Sequence, residues 1–455
     1  AAQRSGTAQG DGTAQGSAAA AASSSQTTAS AEPAVGAGRA VSSGVLEPAT
    51  SIPKDPAQLR AQILSAMEAG DDDLAFDLVR TAKRMFPDDP QVTFLMALIL
   101  GQRNRFPEAI RMLDAMARSI PSTQATVWGQ TADWLVESGQ WPAAEARYRE
   151  LLHHAPDTAI AHRKLAELLV RQGRRQEAAA HHRQLCRLGD VEEIELRSLL
   201  SIVHPFGGDA VKPHLEPIGS LGNARFAIGV GNWTAAAEAL ELSPSAYPTA
   251  ASALRLRIQA QLQNFEPLAK SIDDTPAAEQ LPADYWFALG TLQAHRGQHR
   301  AAVISFCQTV LRDETDAEAY AAMSRSLQAM GASSEAAVAA ARAGLIEQTQ
   351  EIGAEMAKNT DRDDAQLTSL IKTLEQLNRP FEAIAWKAMQ VVYRQANSTL
   401  SAADARQRLA EIVAERKEQL SITEPDASRD FLLCGVDLES LEVEVDASAE
   451  AGGQN

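Results

Sequence analysis

The stretch "NRFPEAIRMLDAMARSIP" (Asn104–Pro121) recurs in altered form as "GQWPAAEARYRELLHHAP" (Gly139–Pro156). Both copies carry an aromatic residue, a Pro, an Ala two residues later, an apolar helical run and a closing Pro. A Pro in the first turn of a helix costs no hydrogen bond, and a Pro beyond its end prevents the helix from continuing. We therefore predict that each copy is one helix of a repeated unit.

The Ala that follows the opening aromatic residue defines a period. Ala75, Ala109, Ala144 and Ala178 recur at a nearly constant spacing. Later in the chain, Ala236 lies in a further copy, and Ala302 and Ala336 repeat the same spacing. A regular period of this kind indicates stacked supersecondary units.

Each unit is predicted to contain two helices. In the third unit the first helix runs from about Ala125 to Glu137, and Gly139 ends it, since Gly is the usual residue just beyond a helix. Pro142 then opens the second helix, which runs to about His154. The quoted stretches are the second helices of consecutive helix–turn–helix units.

These units resemble the tetratricopeptide repeat, a family that places small, aromatic, Gly and Pro residues at fixed positions of each repeat. The third unit matches the pattern at Trp128, Ala132, Gly139, Trp141, Ala144, Tyr148 and Pro156. Units beginning at Ala159, Ala283 and Ala317 match it in part. The resemblance implies an all-α fold, a right-handed α-solenoid of stacked helix–turn–helix repeats with disordered ends.

The repeats and the composition divide the chain into six segments. An Ala/Ser/Gly-rich segment is expected to be disordered because it holds too little apolar surface to offset chain entropy. The predicted segments are a disordered 1–55, a first repeat block of about four repeats over 56–190, an irregular break over 191–216, a second block of about five repeats over 217–400, a capping helix over 401–420, and a flexible acidic tail over 421–455.

The bulk composition excludes several partners. The net charge of −17 disfavours nucleic acid, because phosphate binding needs clustered Lys and Arg. The apolar run Phe94–Leu100 is far shorter than a membrane span. We therefore expect a soluble chain, cytoplasmic or periplasmic. The sequence begins with Ala, which leaves open that a signal or anchor has been removed.

The sequence offers no catalytic set, and we predict neither an enzyme nor a cofactor. The three Cys residues are far apart, without a CxxC pair, so a zinc site or a disulfide framework is not indicated. His182 and Cys186 share one face of a predicted helix and provide at most half of a metal site. A metal-dependent enzyme centred on this His-rich repeat is the least favoured interpretation, which metal analysis would test.

The resemblance implies that a ligand binds in the concave groove formed by the first helix of each repeat. The implied groove positions make the surface apolar in the second repeat and charged in the next two. The residues proposed to bind a partner there are Phe94, Leu98, Asp133, Arg163, Glu167 and Arg171.

Charge suggests what such a groove would prefer. Residues 159–190 carry seven basic and three acidic residues, a balance of +4, which favours an acidic peptide. The tail, 421–455, carries nine acidic residues and one basic residue, and it contains "DFLLCGVDLESLEVEV" (Asp430–Val445). We hypothesise that this segment docks, in cis or in trans, on a groove such as that around Arg163 and Arg171.

The leading functional prediction is a scaffold for protein–protein interaction that binds a peptide or partner protein in its groove. The alternative is that the chain is the N-terminal spacer or docking arm of a larger protein whose catalytic or β-propeller domain is missing here, a layout similar to that of some large bacterial proteins. The intact mass of the native protein would separate these two predictions.

Overall fold

The computed structural model describes Pro53 and residues 55–206, 216–275, 280–359, 361–422 and 427–442. These residues form the 21 α-helices named below, one short 3-10 helix at Pro121–Thr123, and a further helical turn over 438–442. The α-helices are α1 (Pro56–Glu68), α2 (Asp72–Met85), α3 (Pro90–Gln102), α4 (Phe106–Ser119), α5 (Gln124–Glu137), α6 (Trp141–His154), α7 (Ala159–Arg171), α8 (Arg175–Leu188), α9 (Glu193–Leu200), α10 (Gly219–Gly229), α11 (Trp233–Leu242), α12 (Pro248–Gln261), α13 (Phe265–Asp273), α14 (Ala283–His295), α15 (His299–Val310), α16 (Ala317–Ala329), α17 (Ser333–Lys358), α18 (Asp364–Gln376), α19 (Pro380–Ala396), α20 (Ala402–Leu420) and α21 (Arg429–Leu432).

Consecutive helices pack as pairs, and each pair packs on the next. The pairs are α1–α2, α3–α4, α5–α6, α7–α8, α10–α11, α12–α13, α14–α15, α16–α17 and α18–α19. The described residues therefore form an all-α solenoid of stacked helix–turn–helix units, as the sequence predicts. In the third unit the predicted helices agree with α5 and α6 to within one residue.

The periodic alanines explain why the helices pack so regularly. Ala75, Ala109, Ala144, Ala178, Ala236, Ala302 and Ala336 are all buried. A methyl side chain at the contact allows two helix axes to approach to roughly 8–10 Å. The period visible in the sequence is therefore the period of close helix contacts within the repeats.

Helix α9 departs from the simple stack. It follows the first block and packs on α8, but it also contacts α17 and α19 at the far end of the second block. Arg362 Nη2 lies 2.6 Å from Glu193 Oε1, and Arg379 Nη2 donates to Leu199 O at 2.6 Å. The irregular stretch after α8 thus joins the end of the first block to the end of the second.

The helix predicted to cap the array is α20, which packs on α19 and buries only Ala405. Its polar outer face is what the exposed end of a solenoid needs.

The expected disorder of 1–55 concerns residues that lie outside the described part, apart from Pro53 and Asp55. Among the helices described, none is both long enough and apolar enough to cross a membrane.

Part of the acidic tail is folded. Residues 427–442 contain the single turn α21, and the buried side chains of Leu433, Cys434, Val436 and Leu438 belong to one apolar cluster with Tyr320. These apolar side chains provide the packing that a purely acidic tail would lack. For this stretch, a packed segment replaces the expected flexible tail; the tail residues 423–426 and 443–455 lie outside the described part.

Candidate partner-binding surfaces

The groove positions of the first two repeats carry apolar side chains that are open to solvent. Leu64 and Leu98 occupy equivalent positions of successive repeats, on α1 and α3. Leu64 is 46 % exposed, and Leu98 and Phe94 are half-buried at the edge of the local core. Ile160, at the start of α7, is 54 % exposed. Leu64 and Ile160 are therefore the exposed members of this set, whereas Phe94 and Leu98 are partly covered by the local core.

Asp133, on α5, is held in place by the second helix of its own repeat. Tyr148 Oη donates a hydrogen bond of 2.6 Å to Asp133 Oδ1. Burial and the Asp133 carboxylate raise the pKa of Tyr148, so the phenol remains a donor at neutral pH. The half-buried carboxylate therefore has a fixed orientation on the groove side of α5.

The other three predicted residues, Arg163, Glu167 and Arg171, come together in a pocket of about 170 Å³. It lies between α7, α9 and α10, and Phe206 and Phe226 contribute aromatic side chains to its wall. Phe94, Leu98 and Asp133 do not line it. The predicted residues are thus divided among Phe94 and Leu98 on α3, Asp133 on α5, and the three residues of α7 that line this pocket.

Arg163 has acidic partners within the fold. Its Nε donates to Glu195 Oε1 at 2.9 Å, and its Nη2 lies 3.0 Å from Asp190 Oδ1. Burial lowers the pKa of Arg163, but these two hydrogen bonds outweigh it, and the pKa is raised. Arg163 is therefore a permanently charged structural residue that ties α7 to α9.

Other basic residues of 159–190 are also engaged within the protein. Arg174 lies between Glu145 and Glu177, at 2.6 and 2.5 Å, and Arg183 Nη2 lies 2.8 Å from Glu314. Arg175 Nε donates to Ile202 O at 2.8 Å. Much of the net charge of +4 that residues 159–190 carry is consequently neutralised by acidic residues or directed to backbone carbonyls within the protein.

The groove positions of the second block are covered by the chain itself. The segment 201–206, which follows α9, passes over α10 and α12. Arg225 Nη1 donates to Val203 O at 3.2 Å, and Arg257 Nη2 lies 3.1 Å from His204 Nε2. A Cβ atom added to Gly229 would lie 2.9 Å from Pro205 Cγ. Here the chain's own backbone lies over the first helices of two successive repeats.

His204 is neutral in this position. Its ring lies beside the Arg257 guanidinium and makes an edge contact with Trp233 at 5.6 Å between ring centroids. Burial and then the Arg257 charge lower the pKa of His204 well below its usual value. Its neutral Nε2 can accept a hydrogen bond from Arg257, which fixes the segment to α12.

The His-rich repeat forms a packed pair of rings. His162 Nδ1 lies 2.9 Å from His181 Nδ1, and His162 Nε2 lies 2.7 Å from Pro156 O. Burial and His162 lower the pKa of His181 to about 4, and burial lowers the pKa of His182 to about 3. Across the part of the chain that the structure describes, no group of three or more His, Cys, Asp and Glu is arranged to hold a metal ion.

The tail contacts the second block rather than the pocket of Arg163 and Arg171. Tyr320 Oη donates to Leu432 O at 3.1 Å, and the Arg342 guanidinium lies 4.6 Å from the centroid of the Phe431 ring. Burial, and then the neighbouring Cys434, raise the pKa of the Cys307 thiol. The described tail residues thus cover a surface formed by α15, α16 and α17.

Sequence reasoning missed the role of the segment 201–206. His204 and Pro205 indicate a break, but the segment contacts Arg225 and Arg257, which lie on helices further along the chain. A sequence signal does exist in retrospect, because "SIVHPF" (Ser201–Phe206) is too apolar for an exposed loop.

Comparison with known proteins supports the assignment of the repeats. Residues 131–191 match the tetratricopeptide repeat family model. No protein of curated function matches the chain. The matched region contains the second half of α5, the whole of the α6, α7 and α8 helices, and the pocket residues Arg163, Glu167 and Arg171.

Three solved structures resemble the chain at low sequence identity. A tetratricopeptide repeat protein from Parabacteroides merdae ATCC 43184 is 13% identical, with a TM-score of 0.26 over 60% of this chain and 98% of that one. The APC/C hetero-tetramer Cut9–Hcn1 is 13% identical, with a TM-score of 0.27 over 85% and 87%. The Naa15/Naa10 complex bound to HypK-THB is 12% identical, with a TM-score of 0.28 over 86% and 58%.

Residues 131–191 are assigned to the tetratricopeptide repeat family, and the helix pairs on either side repeat the same arrangement. At these TM-scores the solved structures add nothing on partners. As a class, tetratricopeptide arrays are scaffolds for protein–protein interaction.

Proposed function

We propose that this chain binds an extended segment of a partner protein along the groove positions of its first block. The observation that carries the proposal is the difference between the two blocks. The segment 201–206 covers groove positions on α10 and α12, whereas on α1 and α3 Leu64 is exposed and Phe94 and Leu98 are partly exposed. A partner with apolar side chains would bury them there without displacing any described part of the chain.

The contacts also limit the role of charge. Arg163 is held by Glu195 and Asp190, so an acidic residue of the partner would meet Arg171 more readily than Arg163. Arg171 Nε donates to Glu216 O, and the rest of its guanidinium group lines the pocket. The proposed ligand is therefore an apolar segment with an acidic residue where it passes Arg171. The tail is a second proposed ligand, self-docked on another surface.

Capture from a lysate of the source organism tests the groove, with the full chain as bait. The test variant is Leu64→Glu/Leu98→Glu, which places two charges in the apolar groove. The matched control is Leu242→Glu, at a leucine that is 84 % exposed at the end of α11. We expect a dominant partner that is retained by the control and lost by the double variant.

A photo-crosslinker at position 98 would then identify the contacted peptide of the partner. If the partner binds both variants equally, the groove is not its site. If no partner is enriched, and the native protein has a larger intact mass than this chain, the spacer-arm alternative is favoured.

A further inference from the structure

An apolar surface of the second block lies beneath the tail. The tail-covered surface is formed by Cys307, Val310, Tyr320, Arg342 and Ile346, on α15, α16 and α17. Four tail side chains, those of Leu433, Cys434, Val436 and Leu438, are buried in the same cluster. The tail thus shows what this surface accepts, a short segment with closely spaced apolar anchors.

The bound tail has a defined shape. One helical turn ends at Leu432, and Gly435 N donates to Asp430 O at 3.2 Å, which reverses the chain. Cys434 has a φ of 57° in the left-handed region, which a residue other than Gly adopts only at some cost in energy. The reversal places the anchors on both sides of Gly435 against the array.

Charge around the start of this segment fits an acidic ligand. A pocket of about 180 Å³, lined in part by Ala427 and Leu432, contains four arginines and two glutamates, a balance of +2. The arginines are Arg183, Arg187, Arg312 and Arg379. The docked residues 427–442 carry four acidic residues and one basic residue, a balance of −3, which is opposite in sign to the pocket.

The tail is held to the array by buried apolar side chains and by a hydrogen bond to its backbone. Tyr320 Oη provides a hydrogen bond to its backbone, at Leu432 O, and the reversal is stabilised by hydrogen bonds within the segment itself. A tethered segment of this kind benefits from an effective concentration of roughly millimolar, so even a weak intrinsic affinity keeps it bound. A partner segment of the same chemistry can therefore compete with it.

We propose that the tail-covered surface binds an acidic partner segment with an aromatic residue followed by closely spaced apolar anchors, and that residues 427–442 occupy this surface in cis until the partner displaces them. This inference rests on the proposed scaffold function but concerns a different surface from the groove of the first block. The groove variant Leu64→Glu/Leu98→Glu should leave peptide binding at the tail-covered surface unchanged. The two proposals can therefore fail separately.

The buried thiols offer a direct readout. Burial raises the pKa of Cys307 to about 12 and that of Cys434 to about 11, so both are unreactive while the tail is docked. Release of the tail would uncover Cys307, whereas Cys186 lies in a separate cluster and should remain protected. Cys186 therefore serves as an internal control for folding.

The experiment uses the full chain and a fluorescent peptide with the sequence of residues 427–442. The release variant is Leu433→Asp/Val436→Asp, and the matched control is Glu439→Gln/Ser440→Ala, at exposed positions of the same segment. We expect the peptide to bind the release variant at least tenfold more tightly than the wild type or the control, with no binding of a scrambled peptide. Maleimide labelling of Cys307, mapped by mass spectrometry, should be at least tenfold faster in the release variant and should slow again with excess peptide.

Several outcomes would overturn the proposal. If Cys186 stays protected but neither peptide binding nor Cys307 labelling changes, the segment is a fixed part of the fold. A concentration-dependent dimer of the wild type that the release variant abolishes would assign the tail to a second copy in trans.

If the release variant labels at Cys186, it has unfolded. A protease site inserted between residues 422 and 427 then replaces it, because the chain folds before cleavage. Exchange of the cleaved tail for labelled peptide supports the proposal, and retention of the tail without exchange contradicts it.

Discussion

Arg257 Nη1 lies 2.6 Å from Asp316 Oδ2, and neither side chain is exposed to solvent. Asp316 Oδ1 also accepts a hydrogen bond of 3.0 Å from Ala319 N and so caps α16. Asp284 and Glu318 approach the same guanidinium at 3.7 and 3.2 Å. One buried cation thus joins α12, α14 and α16, directly beneath the segment 201–206 that covers them.

Replacing Arg257 by Met should destabilise the second block. The substitution leaves Asp316 buried without its cation, a change that typically costs about 3–5 kcal/mol, whereas Asp284 keeps its hydrogen bond from Arg225. Urea unfolding measures the cost, with Arg111→Met at an exposed position of α4 as the control. The double variant Arg257→Met/Asp316→Asn should recover part of the loss. If Arg257→Met lowers the free energy of unfolding no more than Arg111→Met does, the pair has no structural role.

A methyl group at Gly229 tests whether the segment 201–206 is seated on α10. The added Cβ would lie 2.9 Å from Pro205 Cγ and 3.0 Å from Pro205 O, so Gly229→Ala should destabilise the chain by roughly 1–3 kcal/mol. Gly344, in α17, has no atom within 4 Å of such a Cβ. Gly344→Ala should therefore stabilise by about 0.5–1 kcal/mol, as expected for a helical site.

Thermal unfolding of the two glycine variants gives the comparison. Opposite shifts in Tm support the packing of Pro205 against Gly229. Equal stabilisation of both variants would show that Pro205 does not lie against this residue.

The repeats could be predicted because their period comes from close local packing. Ala109 and Ala144 are buried at helix contacts within single repeats, so the pattern is visible in one sequence. The degenerate repeats were harder to recognise for a local reason. Gln263 and Asn378 adopt the left-handed conformation at the turn where Gly139 stands in the third repeat, with φ of 57° and 54°.

The partner-binding surfaces were less predictable because they depend on contacts between distant residues. Arg163 counts as a free positive charge in the sequence, but Glu195, on a later helix, neutralises it. Likewise, the acidic composition of the tail predicts only that it docks near basic residues. The fold shows that the contact is between Phe431 and Arg342. Pairing across repeats depends on how the solenoid curves, and the period of the repeats does not specify that curvature.

Overpacking at Ala144 tests the role of the periodic alanines. Ala144→Leu adds three carbon atoms at a fully buried contact between α5 and α6 and should cost about 1–3 kcal/mol. Ala146→Leu adds the same atoms at an exposed position of the same helix and should change stability by less than about 0.5 kcal/mol. The free energies of unfolding in urea give the comparison, and equal values for both variants would exclude Ala144 as a close contact.

The buried His182 should make the stability of the chain depend on pH. Burial lowers its pKa to about 3 in the folded chain, whereas an unfolded His titrates near 6.5. Between these values the unfolded chain binds a proton that the folded chain does not, so stability falls as the pH is lowered through this window. For one such group the slope approaches about 1.4 kcal/mol per pH unit.

Asp313 changes the pH dependence of stability in the opposite direction, and its contribution must be separated from that of His182. Burial raises the pKa of Asp313 to about 6, so between about 3.8 and 6 the folded chain binds the extra proton and gains stability as the pH falls. Comparing wild type with His182→Gln isolates the histidine, because Asp313 is present in both. The variant should lose less stability than the wild type between pH 6.5 and 4.5, as measured by urea midpoints. Parallel pH profiles would mean that His182 keeps an ordinary pKa and is open to water in the folded chain.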